Sequence, residues 1–140
     1  LLGRKSSSKN CRSNRDQGFL MVYGGPQLMS TLYKSELFDL TTTALTTIYT
    51  CPSETETIVK TIQSHNHGTG NVVAQLFITR GANTYEIAHH SLSANSSQNL
   101  LDGVIVLEAA DILKLQAGSA NDIQGAMSYM EVRSDTNNPI

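Results

Sequence analysis

The chain has 140 residues, which at about 100–150 residues per domain allows one domain and excludes a two-domain enzyme with its own cofactor domain. Apolar residues make up 39% of it, enough for a core, whereas charged residues are only 16%, well below the usual share of a globular chain. Serine, threonine and asparagine contribute 15, 14 and 10 residues, so neutral polar groups must hydrate most of the surface. This composition, rich in threonine and without tryptophan, predicts a small all-β domain and argues against a helical bundle.

Charge is distributed unevenly along the chain. Residues 1–28 hold five basic groups and one acid, a charge of +4, whereas residues 29–140 hold five basic groups and eleven acids, a charge of −6. Nucleic-acid binding begins with the neutralisation of phosphates, so the acidic part is a poor candidate for it. Only the basic stretch Arg4–Arg15 could make such a contact.

The composition divides the chain into three parts. Residues 1–28 form a basic leader that we expect to be extended or disordered, because residues 1–17 have too few apolar groups to fold alone. Residues 29–133 form the predicted folded domain, and residues 134–140 a polar tail. Three interpretations of the leader stay open: translated upstream sequence without a role, an artificial or fragment remnant, or a functional basic arm. We favour the first two, because Met21 and Met29 both lie where a natural start could be.

Two cysteines, Cys11 and Cys51, are too few and too separated to indicate a disulfide framework. We therefore expect free thiols in a reducing compartment. The longest apolar runs are far shorter than the ~20 residues of a membrane-spanning helix, and Gly18–Val22 is too short for the ~7–15-residue apolar core of a secretory signal. These features predict a cytoplasmic site of synthesis and no membrane partner.

Short apolar-alternating runs separated by turn residues predict strands throughout the body. The predicted strands are Tyr33–Leu40, Leu45–Thr50, Thr57–His65, Val72–Thr79, Thr84–His90, Val104–Leu107, Ile112–Ala117 and Ala126–Arg133. In the third of these, Ile58 and Ile62 are expected to share a face. The segment Ser93–Gln98 is predicted to be a loop. The segments Leu100–Leu107 and Ile112–Leu115 are apolar on both faces and are expected to be central.

About eight antiparallel strands at ~8–12-residue spacing predict a sandwich or a barrel. A single sheet of that size would leave one apolar face in water, so two packed sheets are the more economical solution. The expected fold is a single jelly-roll-like β-sandwich preceded by the extended leader.

The order of several short segments resembles a family of small virion structural proteins of tailed bacteriophages, common in phages of marine bacteria and cyanobacteria. The segments are Thr47–Pro52, Ile58–Ile62, Asn99–Gly103, Val106–Leu115 and Ser128–Val132, and the resemblance covers roughly residues 42–133. It implies a jelly-roll sandwich that belongs to the particle and catalyses no reaction. The family's turn before the last long strand usually reads Glu-Ala-Gly-Asp, whereas this chain has Glu108-Ala109-Ala110-Asp111. Glycine there suggests a left-handed backbone that costs alanine about 1 kcal/mol, so a different local turn is expected.

The spacing of His65 and His67 on a strand would place both rings on one face, and three copies around a three-fold axis could offer six nitrogens to a metal ion. The competing interpretation, which we favour, is two solvated histidines beside Gly68 and Gly70. The predicted metal site is therefore none, with His65 and His67 as minor candidates. His89 and His90 should point to opposite faces and cannot chelate one ion together.

Other chemistry has weak support. Cys51, next to Pro52, is expected to be a half-buried structural thiol rather than a nucleophile, and no nucleophile elbow, phosphate loop or zinc spacing is present. We predict no catalytic or cofactor-binding residues. The acidic residues that could bind Ca²⁺ are expected to be solvated turn residues; they are Glu54, Glu56, Asp102, Glu108 and Asp111. The tyrosines that could bind sugar rings are Tyr23, Tyr33, Tyr49, Tyr85 and Tyr129, and for Tyr85 and Tyr129 packing in the sheet is favoured.

The sequence thus predicts a non-enzymatic bacteriophage virion protein, assembled in the host cytoplasm, whose partners are other virion proteins and itself. Head decoration is slightly favoured over a tail, neck or fibre role, because the chain lacks a coiled coil or repeat for a shaft. Self-association is expected through three-fold or higher symmetry. The alternative class is a carbohydrate- or receptor-binding β-sandwich module.

Overall fold

The computed structural model describes the backbone of residues 28–135 and the side chains of residues 30–133. Within this range the chain forms nine strands and no helix, and therefore no helix that could cross a membrane. The predicted leader and tail fall almost wholly outside the described residues, as does Cys11. The strands are β1 (Leu28–Leu40), β2 (Thr46–Thr50), β3 (Thr55–Asn66), β4 (Val72–Arg80), β5 (Asn83–Leu92), β6 (Ser96–Asn99), β7 (Ile105–Leu107), β8 (Ile112–Ala117) and β9 (Ile123–Asp135).

The strands form two antiparallel sheets. The first has the order β1-β9-β3-β6, with β7 also paired to β3, and the second has the order β2-β8-β4-β5. The chain passes from one sheet to the other at most connections, and this order is that of a jelly roll. The predicted all-β jelly-roll sandwich is confirmed.

One jelly-roll strand is divided, which explains why nine strands occur where about eight were expected. Strands β6 and β7 both pair with β3, β6 opposite Gln63–Asn66 and β7 opposite Thr57–Val59. Residues 100–104 interrupt them, and Leu100 and Leu101 turn inward there and are buried. The prediction of a loop over Ser93–Gln98 is wrong in its second half, because Ser96–Asn99 pairs with β3.

The expected central position of Leu100–Leu107 is also wrong. Only its last three residues are a strand, and β7 pairs with β3 alone, at the margin of the sheet. Val104 and Val106 are 61% and 53% exposed, so part of the apolar character of this segment lies on the surface. The expectation for Ile112–Leu115 is confirmed, because β8 lies between β2 and β4.

A bulge in β3 explains a third wrong prediction. Val59 pairs with Tyr129 and Thr61 with Ser128, so Lys60 has no position of its own in the ladder. The extra residue reverses the alternation: Thr57 and Val59 face the interior before it, and Ile62 faces the interior after it. Ile58 and Ile62 therefore lie on opposite faces of the strand.

The core fills the space between the sheets with side chains from alternate positions. On β4 and β8 the predicted period of two is seen directly, since Val72, Ala74 and Leu76 are buried and so are Leu113 and Leu115. Each of the three leucines buries a full side chain, which stabilises the fold by about 1.5–3 kcal/mol per residue. On β9 the buried set is Ile123, Met127, Tyr129 and Glu131, which places a carboxylate in the interior.

Candidate assembly surfaces

One edge of the first sheet is β1, and the strand at the other end of the order is β6. Its even-numbered side chains face the interior, where Lys34 meets Glu131 and Leu40 is buried. Its odd-numbered side chains face outward, and the Tyr33 ring lies 5.5 Å from Lys60 Nζ. Three large apolar side chains are exposed along it: Leu32 (47%), Tyr33 (73%) and Leu37 (81%). An edge strand of this length with exposed apolar groups is a ready template for pairing.

The second sheet has β2 at one edge and β5 at the other, and β5 lies beside the loop of residues 100–104. Tyr85 and Ile87 are 56% and 41% exposed although Tyr85 pairs with Ile78, which packs against the core. A cleft of about 380 Å³ lies between this strand and the loop, lined by residues that include Ile87, His90, Leu101 and Val104. Exposed apolar side chains around an open cleft are typical of protein contact surfaces.

A hydrogen-bonded polar cluster lies inside the sandwich below β1. Tyr49 Oη donates to Glu131 Oε2 at 2.5 Å and lies 2.8 Å from Thr57 Oγ1. Lys34 Nζ lies 3.0 Å from Glu131 Oε1, so the buried carboxylate has both a neutral donor and a charged partner. The Tyr49 and Tyr129 rings pack against each other at a centroid distance of 4.6 Å.

These contacts shift the ionisation of the cluster. Burial alone would raise the pKa of Glu131, but the hydrogen bond from Tyr49 and the charge of Lys34 outweigh it and leave that pKa below its usual value. Burial and the neighbouring Glu131 carboxylate raise the pKa of Tyr49, and burial raises the pKa of Tyr129 to about 12. The carboxylate is thus charged and both phenols are neutral at neutral pH.

The turn before β8 is held by a second carboxylate, Asp111. It accepts two hydrogen bonds from the Arg80 guanidinium, at 2.8 and 2.6 Å, and one from the backbone N–H of Glu108 at 2.8 Å. The Arg80 hydrogen bonds lower the pKa of Asp111. Ala110 has the left-handed φ of 73°, and its N–H donates to Cys51 O at 2.9 Å. The expectation of a different local turn is therefore wrong, because the left-handed turn forms with alanine in place.

The histidine pair lies at the end of β3 rather than wholly in a loop, because the strand continues to Asn66. The His65 and His67 rings are near-parallel with centroids 6.5 Å apart, and His65 Nδ1 lies 2.7 Å from Ser97 Oγ. Among the described residues no three His, Cys, Asp or Glu side chains are grouped closely enough to hold a metal ion. His89 and His90 do face opposite ways: His89 lies beside Glu86, whereas His90 lies 3.2 Å from Leu100 O.

The acidic residues considered for Ca²⁺ either lie apart from one another or already form an ion pair with an arginine side chain. Arg80 lies between Asp111 and Glu108, with its guanidinium 3.6 Å from Glu108. Asp102 lies in the exposed loop beside the cleft. Glu54 and Glu56 are exposed at the start of β3.

Cys51 is more deeply buried than predicted, at 1% exposure. Its Sγ donates to Thr55 O at 3.4 Å and lies 3.3 Å from Thr57 Oγ1. Burial raises the pKa of the thiol, which keeps it protonated and unsuited to nucleophilic attack.

The tyrosines divide into two pairs, with Tyr23 outside the described residues. Tyr49 and Tyr129 are buried, and the predicted packing of Tyr129 in the sheet is confirmed. The same prediction for Tyr85 is wrong, since more than half of its side chain is exposed at the open edge. Tyr33 is exposed on the edge of the first sheet. Sequence reasoning missed Glu131 as an interior residue, although its position two residues after Tyr129 and four after Met127 was the available signal.

Comparison with known proteins identifies the fold but no family. No protein-family model matches the sequence, and no curated protein matches it significantly. The structure is similar to a chain of Bacillus endospore appendages, described as disulfide-linked pili, with a TM-score of 0.53, 14% identity and coverage of 79% of this chain and 92% of the other. It is also similar to a chain of the T13 viral particle of IBDV, with a TM-score of 0.52, 10% identity and coverage of 81% of this chain and 32% of the other. A weaker match, with a TM-score of 0.49, 12% identity and coverage of 76% and 91%, is the capsid of the Helicobacter pylori bacteriophage KHP30. At these identities the first two likenesses show a shared fold and nothing further.

Proposed function

We propose that the chain is a non-enzymatic structural subunit of a bacteriophage virion and assembles through the edges of its jelly roll. The observation that carries the proposal is the exposure of large apolar side chains on both long edge strands, with Tyr33 and Leu37 on β1 and Tyr85 and Ile87 on β5. Exposed apolar patches on a small protein mark protein contacts. The ordered motifs of residues 42–133 support a phage particle as the setting, and so does the fold shared with a viral-particle chain.

Within the virion we favour head decoration over a tail, neck or fibre component. The described residues form one sandwich and contain neither a helix nor a repeated unit that could form a shaft. Such a unit is suited to covering a shell, where each copy makes contacts at its edges. Its partners would be a major capsid protein and other copies of itself, and it would be assembled in the host cytoplasm.

Quantitative mass spectrometry of purified parent virions tests the proposal. We expect hundreds of copies per particle when the signal is normalised to the major capsid protein. A few copies, in multiples of three or six, would replace head decoration by a tail or neck position. Absence from the particle would overturn the structural proposal.

The carbohydrate- or receptor-binding alternative rests on one observation, the exposed Tyr85 ring on β5, the strand whose Ile87 and His90 line the cleft. An aromatic face next to polar groups can stack on a sugar ring. Under this alternative the protein would bind members of a glycan array, Tyr85→Ala would abolish the binding, and Tyr33→Ala, at the other edge, would leave it unchanged. An array without hits would overturn the alternative.

We expect no disulfide between subunits at Cys51. The similar endospore-appendage chain belongs to pili described as disulfide-linked. In this chain Cys51 is buried, hydrogen-bonded and held protonated. We therefore propose that contacts involving residues 30–133 are non-covalent.

A further inference from the structure

The exposed edge strand β1 carries a self-complementary sequence centred on Ser35. Reading outward from Ser35 in either direction, the first side chain is charged, the next is large and apolar, and so is the one after. The residues before the centre are Leu32, Tyr33 and Lys34, and those after it are Glu36, Leu37 and Phe38. The two charges are opposite in sign, so the order is matched when one copy is laid antiparallel to another.

We propose that two copies of the chain pair antiparallel through β1, with Ser35 on the two-fold axis. In this register Lys34 of each copy lies opposite Glu36 of the other, and Tyr33 lies opposite Leu37. The backbone groups on the free side of β1 would then join the two first sheets into one continuous sheet. Opposite charges and apolar pairs placed directly across an antiparallel pair are the combinations that stabilise it.

The face to which each side chain points agrees with this register. Residues paired across an antiparallel ladder lie on the same face of the sheet, so paired residue numbers must both be even or both be odd. A centre on Ser35 meets this condition: Lys34 and Glu36 both lie on the inner face, and Tyr33 and Leu37 both lie on the outer face. The Lys34 side chain is 44% exposed although its Nζ reaches Glu131, so it can meet a second carboxylate from across the edge.

Neighbouring registers are unfavourable. A centre on Lys34 would place two ammonium groups opposite each other, and a centre on Glu36 would do the same with two carboxylates. Centres between two residues would pair an inward side chain with an outward one and expose apolar groups on the wrong face. Ser35 is the centre that combines unlike charges with matched faces.

The other long edge, β5, is less suited to such pairing. Its ladder with β4 is irregular between Leu76 and Phe77, where Ile87 on β5 has no partner. A bulge twists an edge strand and interrupts the even spacing of its hydrogen-bonding groups. The strand that best fits alongside β1 is therefore the β1 strand of a second copy of the chain.

Cysteine cross-linking tests the register in the full chain, with Cys11→Ser to remove the thiol outside the described residues. Ser35→Cys should form a covalent dimer under mild oxidation, because opposed residues have Cα atoms about 4.5–5.5 Å apart, within disulfide range. Asp39→Cys, also exposed on the outer face, is the matched control: the two copies of residue 39 would be about 27 Å apart and should not cross-link. A mixture of Thr31→Cys and Asp39→Cys should cross-link, since residues 31 and 39 are opposed.

Charge reversal tests the interaction by a separate route. Glu36→Lys alone and Lys34→Glu alone should both be monomeric by light scattering, because each places like charges across the axis. An equimolar mixture of the two variants should form a heterodimer, because each chain then supplies the charge that the other needs. Thermal unfolding of each variant controls for the loss of the Lys34–Glu131 contact.

Three results would overturn the pairing. They are a wild-type chain that stays monomeric at the highest attainable concentration, equal cross-linking of Ser35→Cys and Asp39→Cys, and a mixture of the two charge variants that stays monomeric. The pairing goes beyond the proposed virion role and does not depend on it. It is measured on the isolated protein, so its failure is distinguishable from absence of the chain from virions.

Discussion

Two buried polar side chains at opposite ends of β3 and β9 show different ways of placing polarity inside a sandwich. Asn66, at one end, is neutral and bonds only to backbone: its amide donates to Gly70 O at 2.8 Å and Leu92 O at 2.9 Å, and its Oδ1 accepts from Gly68 N at 2.9 Å. Glu131, at the other end, is charged and is held by the side chains of Tyr49 and Lys34. The hydrogen bonds of Asn66 hold the adjoining loops in place, whereas the charge of Glu131 makes the stability of its end of the sandwich depend on pH.

The largest expected effect is at Asn66. Asn66→Ala should lower the free energy of unfolding by about 3 kcal/mol or more, because several buried backbone groups lose their partner at once. Chemical denaturation of the variant and the wild type measures this. Asn66→Asp has the same shape but turns a carboxylate oxygen towards two carbonyl groups, so it should also be strongly destabilising. A near-neutral Asn66→Asp would show that shape, not hydrogen bonding, is what matters there.

A smaller effect is expected at the charged end. Tyr49→Phe removes the hydrogen bond to the Glu131 carboxylate and should destabilise the protein by about 1.5–3 kcal/mol, the range for hydrogen bonds to charged groups. Tyr129→Phe is the matched control, because its hydroxyl lies 3.4 Å from Glu36 in a partly buried position. Denaturation curves should show the smaller loss for Tyr129→Phe. The reverse order would contradict the central role given to the Tyr49–Glu131 contact.

The stability of the protein should depend on pH through Glu131 at one end of the sandwich but not through Asn66 at the other. Glu131 and Asp111 have lowered pKa values in the folded state, so their stabilisation is present above the unfolded values of about 4.3 and 3.9 and is lost as the pH falls through the folded ones. Tyr49 and Tyr129 have raised pKa values, so their contribution is lost as the pH rises above about 10. Thermal melts across pH should flatten on the acid side in Glu131→Gln, whereas Asn66→Ala should keep the wild-type slope.

The smallest effect concerns backbone strain. Ala110 has φ 73°, so Ala110→Gly should raise the free energy of unfolding by about 1 kcal/mol, the penalty that a β-carbon incurs in the left-handed region. Asn121, with φ 63°, is the control. Asparagine tolerates this conformation, so Asn121→Gly should change the stability little. Equal effects at both positions, measured by denaturation, would argue against strain at Ala110.

The periodic parts of the fold were predictable from the sequence. The alternation of β4 and β8 and the turn at Gly81 follow from local patterns, and the all-β class follows from composition. Strand β6 was not predictable, because Ser96–Asn99 has no apolar alternation. It is held by its ladder to β3 and by the Asn99 side chain, which accepts hydrogen bonds from the N–H groups of Ile62 and Leu101. The ladder to β3 and the hydrogen bond from Ile62 join residues distant in sequence.

The candidate surfaces were less predictable than the fold. The histidine pair was visible as a motif, yet the described residues offer it no third ligand. Glu131 and Tyr49 come together only because β9 and β2 lie in facing sheets, 82 residues apart in the chain. The exposure of Tyr85 goes with the place of β5 at an edge of the second sheet. Such properties arise from tertiary packing, which local periodicity does not encode.

The bulge at Lys60 has a consequence for how this strand tolerates changes in length. Because Lys60 is the extra residue between Val59 and Thr61, a deletion of Lys60 alone would restore simple alternation and keep Val59 and Ile62 facing inward. A single deletion elsewhere in β3 would turn every following side chain to the opposite face. β3 can therefore lose one residue, at this one position, while its inward-facing side chains stay in the core.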